Sequence, residues 1–241
     1  MGEEFSLKDL IDPKHSMMEC LRTKAPGTYK HSQNVANFVE AVAIELDLDT
    51  DAMRVAAMYH DIGKCNFPKG FSENQNGKNI HDGIDPIQSY TIITKHVGDT
   101  VLKMIGIKEI PRKVIEWVSQ HHGDTVLQFF FDKEKPEKDF KYRYRSDKPQ
   151  STEAAVLMIC DSVEAKARSY ASNGKFEKTS DIEELILMTV GRLEMDGQLD
   201  SVLTGHLRVI KQTLINELNS MYHKRELYPE DKEKDEEKDK E

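Results

Sequence analysis

Residues 52–64 read AMRVAAMYHDIGK and set the fold of the whole chain. Apolar residues recur there at intervals of three and four, which predicts an amphipathic helix. The preceding residues Asp49, Thr50 and Asp51 are candidates for its N-cap. Adjacent helical residues point about 100° apart. The pair His60 and Asp61 at the end of this helix would therefore suit two metal ions better than one.

The same helical spacing recurs in most of the chain, whereas strict alternation is scarce. One stripe, Val35 to Val42, follows His31. Further helices are predicted near 87–103, 110–122, 150–171, 180–192 and 200–223. We therefore predict an all-α fold. The apolar stripe within 202–221 is interpreted as core, with the surface of a homodimer as the alternative.

Charge and composition exclude several classes of protein. The net charge is −9, and residues 229–241 (PEDKEKDEEKDKE) contribute −4 of it through eight acids and four lysines. Such a run cannot be buried, so a disordered tail is predicted over 226–241. An acidic chain is a poor ligand for a nucleic-acid polymer. No apolar run suits a membrane span or signal peptide, and the scattered cysteines do not suggest disulfides, so a cytoplasmic protein is expected.

Two segments are predicted to be loops. Residues 65–86 (CNFPKGFSENQNGKNIHDGIDP) are rich in turn formers and could cover a site. Residues 132–149 (DKEKPEKDFKYRYRSDKP) mix charges with aromatic residues. The second segment has two interpretations: a solvated surface loop, which is favoured, or an edge of the substrate pocket where Arg143, Tyr144 or Arg145 meets phosphate or base.

Side chains of metal-ligand type stand where predicted helices begin or end. They are His31, His60, Asp61, His96, His121, His122 and Asp161. Singly, each is more often a surface or core residue, but together imidazole and carboxylate suit Mn, Fe, Co, Ni or Zn. Two such ions form a recurrent centre for phosphoester hydrolysis. Asp61 could bridge them, because a carboxylate has two oxygens. Lys64, one turn after His60, could add positive charge beside a phosphate.

Other catalytic templates find no support. The sequence contains no G-x-x-x-x-G-K-[ST], no G-x-S-x-G and no H-E-x-x-H. The usual patterns of P-loop ATPases, serine hydrolases and zincins are thus absent from the sequence.

Several motifs resemble one family closely. They are APGTYKHS (25–32), HDIGK (60–64), FSENQ (71–75), HDGIDPIQS (81–89), HHGD (121–124) and KPQSTEAAVLMICDSVEAKARS (148–169). The chain is similar to the HD superfamily and, within it, to the cytosolic domain of seven-transmembrane HD receptors, which hydrolyse cyclic di-AMP to pApA. The G-Y-P signature of cyclic di-GMP phosphodiesterases is replaced here by HHGDTVLQFFF.

The resemblance implies an HD-domain helical bundle over 25–225, after a helical lead-in over 1–24. It implies one ion on His31, His60 and Asp161, a second on His96, His121 and His122, and iron or manganese as the metal. Asp61 and Lys64 would be catalytic. The substrate-binding residues would be Lys64, Glu73, Asn74, His81, Asp82 and Ser89, joined by Arg143 and Arg145 from the basic loop.

Two alternatives to a cyclic di-AMP phosphodiesterase remain open at this point. An HD phosphohydrolase could act on a nucleotide or a dinucleoside polyphosphate, since the HD core serves esters and anhydrides alike. A non-catalytic cyclic-dinucleotide sensor is the second, although it would not need a complete set of metal ligands.

Overall fold

The computed structural model describes residues 6–75, 77, 79–134 and 139–222. Within these ranges the chain is helical, and its only β pairing is an isolated antiparallel bridge between Val126 and Arg143. The α-helices are α1 (Ser16–Lys24), α2 (Pro26–Glu45), α3 (Thr50–Tyr59), α4 (Pro86–Ile105), α5 (Arg112–Ser119), α6 (Gln128–Glu134), α7 (Thr152–Ser172), α8 (Thr179–Met195) and α9 (Thr204–Tyr222). The predicted all-α class is confirmed.

Helix starts follow local capping chemistry. The Asp49 side chain accepts a hydrogen bond from the Ala52 amide at 3.0 Å and so caps α3. Asp85 caps α4 by accepting from Ile87, and Ser151 caps α7 by accepting from Ala154. Pro26 and Pro86 occupy first helical positions, where a missing amide proton costs nothing.

The prediction of a helix over 110–122 is wrong at the C-terminal end. Helix α5 stops at Ser119, and the chain then turns through Gly123, whose φ is +52°. His121 and His122 thus lie on a turn rather than on a helix. Likewise, α3 stops at Tyr59, and Asp61 leaves the helical region with φ −113° and ψ 12°. Both pairs extend from helix ends, where the backbone is free to aim adjacent side chains independently.

Helices α2, α3 and α7 form the centre of the core. Helix α7 is buried almost all round between Ala154 and Val163, and small residues on α3 allow close approach. The lead-in belongs to the same core, since Leu10, Met18 and Leu21 are fully buried in it. The Tyr59 hydroxyl donates to the Leu10 carbonyl at 2.8 Å, which ties the lead-in to α3.

Helix α9 completes the core from outside. Its residues Leu207, Ile210, Leu214 and Leu218 are buried, whereas Leu203 and Met221 at the edges of the stripe are exposed. The stripe is therefore core, as favoured from the sequence. The predicted tail, residues 226–241, and His223 lie outside the described residues.

The predicted loop after Asp61 contains only short 3-10 turns in its described part: Ile62–Asn66, Pro68–Gly70, Ser72–Asn74 and Ile80–Gly83. It packs on α2 at Gly27, where an added Cβ would lie 1.8 Å from the Glu73 carbonyl oxygen. Asn74 secures this contact, because its side chain accepts from the Thr28 amide and donates to the Thr28 hydroxyl. None of the helices in the described ranges is long and apolar enough to cross a membrane.

Candidate metal centre

Five separate segments bring the predicted ligands to one point. His31 comes from α2, His60 and Asp61 from the end of α3, His96 from α4, His121 and His122 from the turn after α5, and Asp161 from α7. All except His122 are buried, with 6% or less of the residue exposed. Residues up to 130 positions apart in sequence thus meet in the middle of the helical core.

The side chains fall into two groups, each compact enough for one ion. The ligand atoms of His31, His60 and Asp161 lie within 4.8 Å of one another, and so do those of His96, His121 and His122. This is the division that the family resemblance implies. The donors are imidazole nitrogens and carboxylate oxygens, which suit divalent transition metals.

Asp61 lies between the two groups. Its Oδ2 is 3.2 Å from Nε2 of His60 and 3.7 Å from Nε2 of His31. Its Oδ1 is 3.3 Å from Nε2 of His96 and 4.0 Å from Nε2 of His121. One oxygen of Asp61 therefore faces each group, which is the arrangement that a bridging carboxylate requires.

Backbone carbonyls orient three of the histidines. Nδ1 of His60 donates to Ala57 at 2.7 Å, that of His96 to Ile93 at 2.5 Å, and that of His121 to Val118 at 2.6 Å. In each case the carbonyl belongs to the residue three positions earlier. In the neutral ring a proton on Nδ1 leaves the lone pair on Nε2, and Nε2 is the nitrogen that each of the three rings turns toward the centre.

His31 is oriented by Glu164, a residue that the sequence analysis did not select. Nδ1 of His31 donates a hydrogen bond to one carboxylate oxygen of Glu164. The other oxygen accepts a hydrogen bond from the side-chain amide of Asn34 at 2.8 Å. Glu164 is 1% exposed and lies on α7 one turn after Asp161. The i, i+3 spacing from Asp161 was a signal for it, because such residues share a helix face.

Burial and charge set the protonation of the centre. Burial opposes a charge on His60, but the carboxylates of Asp61 and Asp161 outweigh it and raise the His60 pKa to about 10. Burial, together with His60 and His96, lowers the pKa of His121 to about 3. Burial resists ionisation of Asp61, yet neighbouring Lys64 and His60 hold its pKa well below the usual range. The centre thus combines ionised carboxylates, which favour positive charge on His60, with a neutral imidazole at His121.

Two buried atoms in the centre support a fit to metal ions. Among the described residues, Nε2 of His60 and Oδ1 of Asp61 are buried without a hydrogen bond. Unpaired buried polar atoms are costly, so such atoms imply a partner. The orientation of the other imidazole nitrogens toward the same point agrees with divalent cations as that partner.

A cavity of about 840 Å³ opens from this centre. Of the predicted substrate-binding residues, Lys64, Glu73 and His81 line it. Lys64 Nζ lies 2.7 Å from Asp61 Oδ2 and 3.0 Å from Glu73 Oε1. His81 donates from Nε2 to the Gly70 carbonyl at 3.0 Å, and its Nδ1 has no hydrogen-bond partner in the described part of the chain.

The other predicted substrate-binding residues lie away from the cavity lining. Asn74 is occupied by Thr28, Asp82 is exposed, and Ser89 is fully buried on α4. Arg143 pairs with Asp196 at 2.8 Å and donates to the Asp124 carbonyl. Arg145 lines a separate groove of about 830 Å³ beside α4.

Tyr144, between these arginines, does line the cavity. Its ring stacks on His122 with centroids 4.3 Å apart, and it is 7% exposed. The chain here is extended, since the Leu127 amide donates to the Tyr142 carbonyl and the Tyr144 amide to the Thr125 carbonyl. Successive side chains of an extended strand face opposite ways. The surface-loop interpretation is therefore wrong for residues 142–144, and Tyr144 rather than an arginine faces the pocket.

Comparison with known proteins gives a consistent result. A sequence model of the family described as HD domain matches residues 28–166. The cyclic-di-AMP phosphodiesterase PgpH of Listeria monocytogenes is 38% identical over 234 residues, which cover 94% of this chain and 32% of that protein. PgpH of Bacillus subtilis is 37% identical over 232 residues, covering 93% of this chain and 32% of the relative. The chain thus spans about a third of the length of these relatives.

A solved structure extends the likeness to three dimensions. The crystal structure of the L. monocytogenes PgpH HD domain in complex with cyclic di-AMP superposes with a TM-score of 0.82 at 37% identity. The match covers 89% of this chain and all of that one. The fold, the family model and the sequence identity agree, and the chain belongs to the HD domain family.

Proposed function

We propose that this chain is a metal-dependent phosphodiesterase that hydrolyses cyclic di-AMP to pApA. The observation that carries the proposal is the pair of three-residue ligand groups with Asp61 between them, at the base of a cavity of about 840 Å³. The likeness to the PgpH HD domain, whose crystal structure holds cyclic di-AMP, supports the substrate.

The seven side chains would hold two divalent cations, His31, His60 and Asp161 one of them and His96, His121 and His122 the other, with Asp61 as the bridge. Such a pair supplies Lewis acidity toward phosphate oxygens and lowers the pKa of a bound water. Iron or manganese is our assignment from the family resemblance, since the donor set itself suits Mn, Fe, Co, Ni and Zn alike.

The chain's own residues position the substrate and balance charge. Lys64 is held between Asp61 and Glu73, and its pKa is raised because these carboxylates outweigh the effect of burial. A fixed ammonium at this place favours a phosphate oxygen entering beside Asp61. His81 at the cavity wall offers a ring nitrogen, and Tyr144 offers an aromatic face on which a base can stack.

We also assign the chain to the cytoplasm. All three cysteines are free thiols: Cys65 and Cys160 are buried, and Cys20 is partly exposed. Free thiols persist in reducing compartments. The substrate, a nucleotide, is compatible with the same location.

A substrate panel tests the proposed function. Purified protein, with its metal content measured and Mn²⁺ or Fe²⁺ supplied, is given cyclic di-AMP, cyclic di-GMP, ATP and a dinucleoside polyphosphate. We expect conversion of cyclic di-AMP to pApA and its loss in Asp61→Asn. Asp51→Asn, a change at an exposed carboxylate near the lead-in, is the matched control. Preferred cleavage of an anhydride would replace this proposal with a nucleotide phosphohydrolase, and tight binding of cyclic di-AMP without turnover would replace it with a sensor.

A further inference from the structure

Three cations line the metal cavity on the α7 and α8 side, namely Lys166, Arg168 and Arg192, and none of them has a role in the site described so far. Lys166 lies on α7 and Arg192 on α8, and both line the cavity together with His31 and Asp161. The cavity thus has a basic wall on the α7 and α8 side, apart from Lys64.

The position of Lys166 follows from the helix that carries Asp161. Lys166 follows Asp161 by five positions, which is about 7.5 Å along the helix axis at 1.5 Å per residue and about 140° around it at about 100° per residue. Ser162 and Ser169 of the same helix also line the cavity. The cavity therefore follows α7 both along its axis and around it, from a metal-ligand carboxylate to a polar, basic region more than one turn farther on.

The charges of this region are not balanced within the described residues. Neither Lys166 nor Arg192 has an ion pair or a side-chain hydrogen bond there, whereas the nearby Arg168 lies 3.5 Å from the carboxylate of Glu164. Burial, and then the charge of Arg192, lower the pKa of Lys166. Lys166 is partly buried and Arg192 is exposed at the edge of the cavity. The two like charges repel each other, and a bound anion would relieve the repulsion.

We propose that Lys166 and Arg192 form an anion subsite that binds the phosphodiester that is not cut, while the other phosphodiester of the same cyclic dinucleotide lies over the two ligand groups. This inference rests on the proposed function. A cyclic dinucleotide carries two phosphates in one ring, so a cavity that encloses it must accommodate both. The phosphate that is cut lies beside Asp61 and Lys64, and the phosphate that is not cut binds to Lys166 and Arg192 on the α7 and α8 wall.

The subsite has a consequence for substrate choice. A diester with one phosphate reaches the ligand groups without using Lys166 or Arg192. Removing these two cations should therefore weaken the binding of cyclic dinucleotides, and it should leave the hydrolysis of a simple diester unchanged. A merely structural role would affect both substrates alike.

The test is Lys166→Gln with Arg192→Gln, compared with Lys108→Gln with Arg208→Gln. The control pair is exposed and remote from the cavity, and it changes the net charge of the protein equally. Each protein is loaded with Mn²⁺ and assayed with cyclic di-AMP and with bis(p-nitrophenyl) phosphate. We expect the KM for cyclic di-AMP to rise at least tenfold in the first pair only, with turnover of bis(p-nitrophenyl) phosphate within twofold of the wild type.

Binding provides a second readout that does not depend on turnover. In an Asp61→Ala background, titration calorimetry with cyclic di-AMP should give a dissociation constant at least tenfold higher for the Lys166 and Arg192 variant, and a weaker salt dependence. Equal KM and equal affinity in the two pairs would overturn the subsite. Wild-type protein that cleaves bis(p-nitrophenyl) phosphate but neither binds nor cleaves cyclic di-AMP would instead refute the proposed substrate.

Discussion

Gly63→Ala tests how the fold positions the ligand groups. Gly63 lies under α4, where its amide donates to the Thr100 hydroxyl at 2.9 Å. A Cβ on Gly63 would lie 2.2 Å from the His96 carbonyl oxygen and 2.7 Å from the Thr100 amide nitrogen. Ordinary contact begins near 3.4 Å, so the two segments must separate by about 1.2 Å. Both neighbours are backbone atoms within a helix, and neither can rotate away.

The displacement acts on stability and on the site together. Overpacking of this kind costs about 1–3 kcal/mol. For a protein of this size that corresponds to a fall in Tm of roughly 2 to 12 °C. The His96 carbonyl forms one side of this contact, and Gly63, two residues after Asp61, forms the other. A separation of the two segments therefore changes the distance between His96 and Asp61 as well. A misplacement of about 1 Å lowers turnover by as much as ~100-fold.

Gly98→Ala is the matched control on the same helix. Gly98 is exposed, and an added Cβ there meets no atom within 4 Å. Alanine is favoured over glycine in a helix interior by about 1 kcal/mol, so Tm should rise. Thermal unfolding, Mn²⁺ titration and cyclic di-AMP turnover are measured for both variants. Unchanged Tm and turnover in Gly63→Ala would refute the proposed dependence of the centre on this contact.

Three further predictions concern the centre itself. Glu164→Gln should weaken Mn²⁺ binding by about 10- to 100-fold in calorimetry without unfolding the protein, because His31 loses its carboxylate partner; unchanged affinity would exclude this positioning role. Chelation followed by Mn²⁺ at 100 times its Kd should restore about 2.7 kcal/mol of stability, seen as a higher Tm, and no recovery would argue against a metal site. Tyr144→Ala should raise KM for cyclic di-AMP, whereas Tyr144→Phe, which keeps the ring on His122, should not; equal effects would refute stacking as its function.

Residue type and local spacing were sufficient to predict the local structure around the first pair of candidate ligands. His60 and Asp61 follow an apolar stripe with a strong N-cap, so a helix that ends at them is a local property. The short turns after Asp61 are also local, because proline, glycine and asparagine interrupt helices there. These features depend on residues within a few positions of one another, and the structure agrees with them.

The errors arise where distant contacts decide. Arg143 faces Asp196, 53 residues away, and no local pattern predicts that ion pair. Its neighbour Tyr144 faces the pocket because Arg143 forms an antiparallel bridge with Val126. The side chains of Arg143 and Tyr144 then point to opposite sides of the extended chain. Glu164 acquires its role only when α7 packs against α2, which brings His31 to it across 133 positions. Arg192 and Lys166 come to line one cavity only through the packing of α8 on α7.

The most direct test of the account is the number of metal ions that turnover requires. Chelated protein is titrated with Mn²⁺ while the ions bound per chain and the rate of pApA formation from cyclic di-AMP are measured together. Two ligand groups bridged by Asp61 predict that the rate rises chiefly as the second ion binds, and that Asp61→Asn abolishes this rise. Full activity with one ion per chain, or activity that persists after complete removal of metal, would contradict a two-ion centre.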